Sequence, residues 1–537
     1  MFHEQLLVVL TLLFAVFILT MLGQKLNISY PIFLVLAGLG ISFIPGIPRI
    51  EIEPDLIFLL FLPPLLYEAA WYTSWNDFWK WRRAIGMLAF GLVFLTSTIV
   101  AFVSAAMIPG FTLALGFLLG GIISPPDAVA ANSVLKNVKI PKRLTATLEG
   151  ESLINDASSL IVFRFALAAV VSGFFSMEQA TGQFFLVAGM GIVVGLVIAH
   201  VMYVVHRFLP TTPSIDAALT LVTPYIMYMA AEQFHFSGVM AVVSGGLFLS
   251  YRSHELFTTG NSRLQTINVW STVIFILNGL VFILIGLELP VIMADMGGYS
   301  IAEAIKYGLV ISLIAIIIRI IYVLSLAYVP KWMGSTKRLD HYNPTWKAPL
   351  IVGWAGMRGV VSLASALSVP VLMNNGEVFP HRSLILFITF VVILVTLVFQ
   401  GLTLPLVIKW VKIKDTRDFL PEEEQEAGIN LRLMNVAIKE LDEKYTADMR
   451  DNALISCLRD QLGNDAAVMA ERLESLECDD LKREEVEHYN RVLLHIYNIQ
   501  RRELHVLRTE DFYSDEEIRK QESQLDLDEA KIIKTDH

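Results

Sequence analysis

The stretch IISPPDAV at Ile122–Val129 decides how this chain is interpreted, because two consecutive prolines and an acid follow a long apolar run. Proline has no main-chain N–H and disfavours helix at the residue before it. The stretch therefore predicts a helix that breaks at Pro125 and Pro126 and resumes at Asp127. Unwound main chain at membrane depth is tolerated where it lines protein or a wet cavity, so this break indicates an ion site; the competing interpretation is a structural kink with a snorkelling Asp127.

The composition around this stretch is that of a membrane protein. Hydrophobic residues make up 55% of the 537 residues and charged residues only 17%, against roughly 25% charged in soluble domains. Apolar runs of about 20 residues, each able to cross a bilayer, recur along most of the chain. We predict an all-α polytopic membrane protein with about thirteen transmembrane helices. The predicted spans are 5–22, 28–45, 54–71, 84–108, 111–134, 148–173, 183–208, 214–233, 237–251, 266–289, 302–329, 346–370 and 381–411.

The charge distribution divides the chain into two parts. Residues 1–414 hold 24 basic and 19 acidic residues, whereas residues 415–537 hold 17 basic and 32 acidic residues. We predict a transmembrane domain at 1–412 and an acidic, helical cytoplasmic tail at 413–537. The acidic tail would repel phosphate, which argues against nucleic acid as a partner. Cys457 and Cys478 are expected to be free thiols in a reducing compartment, and no Cys/His cluster suggests a structural metal.

The basic residues also predict the orientation in the membrane. If the loop at 76–83 faces inward, eighteen Lys and Arg residues fall in inner loops and three in outer loops. Such an excess marks the cytoplasmic side. The N-terminus is therefore predicted outside the cell and the tail in the cytoplasm.

A second stretch, LEGESLINDASS at Leu148–Ser159, opens the sixth span. Helical spacing places Ser152 and Asp156 on one face, with Glu151 and Asn155 on the adjacent stripe. A carboxylate beside hydroxyl and amide oxygens suits a hard cation such as sodium. The competing interpretation is that Asp156 only bonds a neighbouring helix.

A third stretch, GWAGMRGVVS at Gly353–Ser362, places an arginine between glycines deep in the twelfth span. An arginine stays charged in proteins, so Arg358 requires an anionic partner. From the residues alone the candidates are Glu151, Asp156, Asp127 and Glu68.

Glu68 follows another double proline, Pro63 and Pro64, in the inner half of the third span. Its position suggests a role in a cytoplasmic funnel. The competing interpretation is that Glu68 lies at the membrane interface and has no function. The other intramembrane charges have no partner that the sequence identifies, and structural pairing is the default expectation for them. These residues are Arg164, Arg319, Glu232 and Glu288.

Together the strings SPPDAVAA at Ser124–Ala131, ESLIND at Glu151–Asp156 and GMRG at Gly356–Gly359 resemble the monovalent cation/proton antiporter family. The match is to the sodium/proton exchanger branch, in its bacterial form with a cytoplasmic tail. The resemblance implies two inverted repeats with broken helices, a homodimer, and a multi-pass location in the plasma membrane, here the bacterial inner membrane. It implies no enzymatic activity and no cofactor beyond the transported ions.

The same resemblance implies roles for individual residues. Asp156, helped by Asp127 and Ser152, is expected to bind the cation or proton beside Asn155. The Asn155–Asp156 pair resembles the electroneutral branch, and Glu151 is expected to form an ion pair with Arg358.

The function expected from these observations is exchange of Na⁺, or of Li⁺ or K⁺, for H⁺, with a role in pH and sodium homeostasis. One carboxylate cannot hold a proton and a cation together, so a site that crosses only when neutralised enforces exchange. A channel and a symporter for an organic anion stay open as alternatives. An intramembrane enzyme or receptor is disfavoured because the chain has no H-E-x-x-H or G-x-S-x-G motif.

Overall fold

The computed structural model describes residues 2–26, 28–44, 59–135, 141–173, 177–257, 259–294, 296, 299–332, 346–373, 376–412, 422–477, 480–509, 521 and 524–529. These residues form helices joined by turns, with one isolated bridge between Leu372 and Val378. The chain divides into two compact units, Met1–Asp415 and Thr416–His537. The functions predicted for the two parts, and their boundary after residue 412, stay predictions.

The helices of the first unit follow the predicted order of spans. They are α1 (Phe2–Lys25), α2 (Tyr30–Ser42), α3 (Leu62–Tyr72), α4 (Trp75–Gly86), α5 (Val93–Met107), α6 (Leu113–Ile123), α7 (Ala128–Leu135), α8 (Lys142–Ser172), α9 (Met177–Phe208), α10 (Pro213–Gln233), α11 (Gly238–Tyr251), α12 (Ser253–Leu256), α13 (Gly260–Leu287), α14 (Leu289–Ala294), α15 (Ile301–Trp332), α16 (Lys347–Trp354), α17 (Val360–Leu367), α18 (Arg382–Leu394) and α19 (Gly401–Val411). Two π-helical turns, Met87–Leu92 and Val395–Gln400, join α4 to α5 and α18 to α19.

Among the described residues, nine helical segments are long and apolar enough to cross a membrane, and the shorter apolar helices α2 and α11 add two more. The third predicted span is represented by α3, and its residues 54–58 lie outside the described residues. The twelfth is the interrupted pair α16 and α17. The prediction of an all-helical membrane protein with about thirteen spans is confirmed. The inverted-repeat relationship stays a prediction.

One predicted loop was wrong. Residues 76–83 are helical, within α4, and a span runs continuously from Phe78 to Met107. The segment is rich in tryptophan and basic residues, which sequence reasoning assigned to the membrane surface. These residues are compatible with a helix, because long side chains can extend from a helix end to the interface.

Hydroxyl side chains cap the starts of several spans. Thr112, Thr212, Ser237 and Thr259 each accept a hydrogen bond from the main-chain N–H three residues later. At the C-terminal end of α8, Gly173 takes the left-handed conformation with φ of 73°. These caps satisfy helix-end groups that would otherwise lack partners.

Buried apolar side chains form two separate clusters in the first unit. The first cluster draws mainly on α1, α2, α5–α8 and α13–α19. The second cluster draws mainly on α3 and α9–α12. Helix α8 contributes to both, because Leu148 and Phe163 belong to the first cluster while Leu153 and Ala157 belong to the second. Helix α8 therefore lies along the boundary between two groups of helices.

In the second unit the structure describes a short helical segment at 524–529 and four further helices. They are α20 (Glu422–Lys444), α21 (Thr446–Asp451), α22 (Ala453–Glu477) and α23 (Asp480–Thr509). Helices α20 and α22 pack against each other, with Ala427 and Ala466 buried. This agrees with the prediction of a helical tail. Cys457 is exposed and free, whereas Cys478 lies outside the described residues.

Candidate cation and proton site

The two interrupted helices meet at their breaks. Helix α6 ends at Ile123 and α7 begins at Ala128, while α16 ends at Trp354 and α17 begins at Val360. The N–H of Asp127 donates to the carbonyl oxygen of Met357 at 2.6 Å. Pro125 and Pro126 therefore lie in an unwound segment, as predicted, and the main chains of the two breaks satisfy each other. This is a structural reason why unwound chain is tolerated at this depth.

Asp127 begins the second half of its helix. Its Oδ1 accepts hydrogen bonds from the N–H groups of Val129 at 2.8 Å and Ala130 at 3.4 Å. The carboxylate thus caps the positive end of α7. Gly359 lies directly against this carboxylate, where a Cβ atom would overlap Oδ2. The absence of a side chain at Gly359 is therefore what lets the second break approach Asp127.

Ser152 and Asp156 come to this crossing from α8. The Ser152 hydroxyl accepts a hydrogen bond from the N–H of Ala128 at 3.3 Å, which joins α8 to the start of α7. Asp156 lies one helical turn further along and is 8% exposed. Asp127 is the charged group that acts on it electrostatically. Asp127, Ser152 and Asp156 are therefore brought together at the crossing.

The Asp156 carboxylate differs from the other acids of this region. Asp127 caps a helix, and Glu151 is in an ion pair described below. Among the described residues no side chain or N–H group hydrogen-bonds to the Asp156 carboxylate, although the Ser159 hydroxyl donates to its main-chain oxygen at 3.0 Å. Its oxygens are therefore free to accept an ion.

Asn155 is fully buried, with 0% exposure. Neither its Oδ1 nor its Nδ2 has a hydrogen-bond partner among the described residues. Its main-chain oxygen accepts from Ser158, whose hydroxyl also donates to Ala89 in the first π-helical turn at 2.5 Å. Within the part of the chain that the structure describes, the Asn155 amide makes no hydrogen bond to either carboxylate of the crossing.

The expected ion pair of Glu151 with Arg358 was wrong. Glu151 pairs instead with Arg319 of α15, through Nη1 to Oε1 at 2.5 Å and Nη2 to Oε2 at 2.8 Å. Both side chains are 1% exposed. The Arg319 Nε also donates to the carbonyl of Val352 at 3.3 Å. The pair braces α8 against α15, and its two parallel hydrogen bonds are the strong form of this interaction.

Arg358 is buried and serves the main chain instead. Its Nε donates to the carbonyl of Ile123, the last residue of α6, at 3.0 Å, and its Nη1 donates to the carbonyl of Gly356. Its own N–H donates to the Thr396 hydroxyl at 3.1 Å. A cation at the carbonyl end of a helix satisfies acceptors and is favoured by the helix dipole. Arg358 therefore ties together both breaks and the second π-helical turn.

Glu68 is half-buried on α3. Pro63 and Pro64 do not interrupt this helix but form its first turn, where missing N–H groups cost nothing. Glu68 acts electrostatically on Tyr30 of α2, as does Asp127. Tyr30 is therefore within electrostatic range of both acids, and the role of Glu68 in a cytoplasmic funnel stays a prediction.

Structural pairing, the default expectation for the remaining charges, holds for Arg164, Glu232 and Arg319. Glu288 is 4% exposed at the end of α13.

Sequence reasoning missed one further pair: His206 Nδ1 and Asp216 Oδ1 lie 2.9 Å apart and are both buried. Its signal was a histidine at the end of one span and an acid in the first turn of the next.

Two interrupted helices that cross beside a buried carboxylate, within about thirteen spans, define a protein of the secondary-transporter class. The chain belongs to the sodium/hydrogen exchanger family, whose transmembrane model matches residues 10–410. The family resemblance read from the motifs is thereby confirmed.

Two relatives and one solved structure illustrate the membership. The chain is 35% identical over 447 residues to a sodium, potassium, lithium and rubidium/H⁺ antiporter of Bacillus pumilus, covering 81% of this chain and 66% of that protein. It is 30% identical to an uncharacterised Na⁺/H⁺ exchanger of Mycobacterium tuberculosis, over 98% of this chain and 96% of the relative. The sodium proton antiporter MjNhaP1 from Methanocaldococcus jannaschii shares the fold, with a TM-score of 0.61, 19% identity, and coverage of 79% of this chain and 100% of that one. The chain thus spans just under two thirds of the length of its Bacillus relative.

Proposed function

We propose that this chain is a secondary antiporter that exchanges a monovalent cation for H⁺ at Asp156. The observation that carries the proposal is the Asp156 carboxylate itself, which is buried near Asp127 and Ser152 and accepts no hydrogen bond from any residue that the structure describes. Na⁺, Li⁺ and K⁺ are the candidate cations, and the Bacillus pumilus relative is named for these and rubidium. Carboxylate and hydroxyl oxygens are the ligands that hard cations prefer.

Competition for one carboxylate supplies the coupling. A proton and a cation each neutralise Asp156, and neither leaves room for the other. A buried charge without a partner is costly at membrane depth, so the site crosses only when one of the two ions occupies it. Exchange follows, because return of the empty site is disfavoured.

The buried charges of the crossing support a one-for-one, electroneutral exchange. Glu151 and Arg319 form an ion pair, and the two breaks contribute one further charge of each sign, Asp127 in the first and Arg358 in the second. Asp156 leaves one negative charge over. A single monovalent ion neutralises it, whether that ion is a proton or a metal cation.

Further parts of the proposal come from the sequence and the family. The basic loops support an N-terminus outside and a tail in the cytoplasm of a bacterial inner membrane. We infer a homodimer and a role in pH and sodium homeostasis from family membership. Glu68 is proposed to line the inner approach to Asp156.

The experiment is dye-monitored proton movement in everted vesicles, with Na⁺, Li⁺, K⁺ and Rb⁺ each titrated across pH. Wild type should dissipate the gradient with at least one cation, whereas Asp156→Asn should not do so with any. Glu440→Gln, which neutralises an exposed carboxylate of α20, is the matched control and should behave as wild type. Normal exchange by a correctly folded Asp156→Asn variant would remove Asp156 from the mechanism.

A further inference from the structure

The pair of Arg164 and Glu232 joins two groups of helices that the apolar packing leaves distinct. Arg164 lies on α8, whose neighbouring residues Phe163 and Ala166 belong to the first cluster. Glu232 lies in the last turn of α10, whose Met227 and Ala231 belong to the second cluster. The ion pair therefore crosses the boundary between the clusters.

The geometry of this pair attaches α8 to the turn between α10 and α11. Arg164 Nη2 donates to both Glu232 oxygens, at 2.8 and 2.9 Å. Glu232 Oε1 also accepts from the N–H of Gly238, the first residue of α11, at 3.2 Å. The carboxylate thus lies at the positive end of α11 and keeps its orientation when the arginine leaves.

The pair lies on the route away from Asp156 toward the predicted outer surface. Arg164 is eight residues beyond Asp156 on α8, which is about 12 Å along a helix. It lies toward the Gly173 end, away from the basic loops. Between Arg164 and Asp156, Leu160 packs against both clusters.

The exposure of the pair suits a contact that opens. The Arg164 and Glu232 side chains are 47% and 29% exposed, in contrast to the fully buried pair of Glu151 and Arg319. Charges at this depth need water or protein around them. An ion pair that is open on one side separates at lower cost than a fully buried pair.

We propose that Arg164 and Glu232 form a latch that closes the outer side of the Asp156 site. The latch holds the two groups of helices together while the site is closed to the outside and separates when it opens there. This inference rests on the proposed function, because a site with access from only one side would need no latch.

The test measures access to a cysteine between the latch and Asp156. Leu160→Cys is placed in a chain whose Cys457 and Cys478 are replaced by serine, and a membrane-impermeant thiol reagent is applied to each side of the membrane. Arg164→Glu or Glu232→Arg should raise the labelling rate from the latch side about fivefold, since like charges then face each other. The double substitution Arg164→Glu with Glu232→Arg, which restores opposite charges, should return the labelling rate to its original value.

Two further variants keep the test decisive. Arg164→Gln removes the attraction without adding repulsion and should raise the rate less than Arg164→Glu does. The control is the double substitution Arg252→Glu with Glu255→Arg, which should leave the labelling rate unchanged. Arg252 and Glu255 form an ion pair three residues apart beside the second cluster, with 43% and 37% exposure. Unchanged labelling in both single reversals, or no restoration by Arg164→Glu with Glu232→Arg, would overturn the latch.

Labelling does not depend on transport, so the two proposals fail separately. A wild type that exchanges no cation while Leu160→Cys responds as expected overturns the proposed function and supports the latch. If the wild type exchanges cations but the labelling rate of Leu160→Cys is unchanged by Arg164→Glu and Glu232→Arg, only the latch is overturned. In Arg164→Cys with Glu232→Cys, a short bis-methanethiosulfonate reagent forms a disulfide with each cysteine and releases a sulfinate at each end. This crosslink should stop exchange until a reducing agent cleaves it, and exchange that continues in fully crosslinked protein contradicts the latch.

Discussion

Glu151 on α8 shares both of its carboxylate oxygens with Arg319 on α15, at 2.5 and 2.8 Å. The pair lies one turn before Asp156 and is closed to solvent. The pair fixes α8, which carries the proposed ion site, against α15. The pair is therefore a structural element beside the site and is separate from the carboxylate that we propose exchanges ions.

Loss of either partner of this pair should destabilise the protein strongly. Arg319→Ala or Glu151→Gln leaves a buried charge without a counter-charge, a change that costs about 3–5 kcal/mol. Thermal unfolding in detergent and membrane yield measure the effect. The double change Glu151→Leu with Arg319→Met should recover much of the stability, because it removes both charges together. A single variant as stable as wild type would contradict the pairing.

Arg358→Ala should also fail mainly through folding, for a different reason. It leaves the carbonyl groups of Ile123 and Gly356 without their donor, at about 1–3 kcal/mol for each buried group left unsatisfied. Arg358→Lys keeps the charge but not the two-directional donor geometry, so its unfolding temperature should lie between those of alanine and wild type. Equal stability of the lysine variant and wild type would show that charge alone suffices.

Two substitutions of Asp127 should separate its cap from its charge. Asn is a good helix cap and Ala is not, so Asp127→Ala should lose about 1 kcal/mol of stability and Asp127→Asn much less. If Asp127 also assists cation binding, both should weaken the apparent cation affinity in everted vesicles. An Asp127→Asn variant with wild-type affinity would restrict Asp127 to capping.

Gly359→Ala should impair exchange, because its Cβ atom would overlap the Asp127 carboxylate. The break must then move away from Asp127 or the cap must rotate, and either change disturbs the crossing. The matched control is Gly189→Ala in α9, where a Cβ atom meets nothing within 4 Å. Alanine favours helix by about 1 kcal/mol over glycine, so the control should be as stable as wild type or slightly more so. Equal exchange rates in the two variants would contradict the close approach.

Exchange should generate no membrane voltage. In liposomes with an inward cation gradient, a voltage-sensitive dye should stay unchanged while an internal pH dye responds, because one charge leaves for each that enters. A membrane voltage of either sign, set by a chloride gradient with a chloride ionophore, should leave the initial rate unchanged. A voltage that develops with exchange would show that more than one proton moves for each cation.

The sequence alone determined the membrane class, the approximate number of spans and the break at Pro125 and Pro126, whereas the structure located the second break between Trp354 and Val360. Each feature that the sequence determined depends on local chemistry: apolar length sets a span, and Pro125 and Pro126 end a helix wherever it packs. Helical spacing also placed Ser152 and Asp156 on one face, and the structure brings both to the crossing with Asp127.

Only the tertiary structure decided which charges meet. Glu151 and Arg319 are 168 residues apart in sequence, and Arg358 and Ile123 are 235 apart. Helical periodicity gives the direction of a side chain on its own helix but not the rotation and depth of the helix opposite. The sequence predicted an anionic partner for Arg358, but the packing of two broken helices gave it main-chain carbonyl acceptors instead.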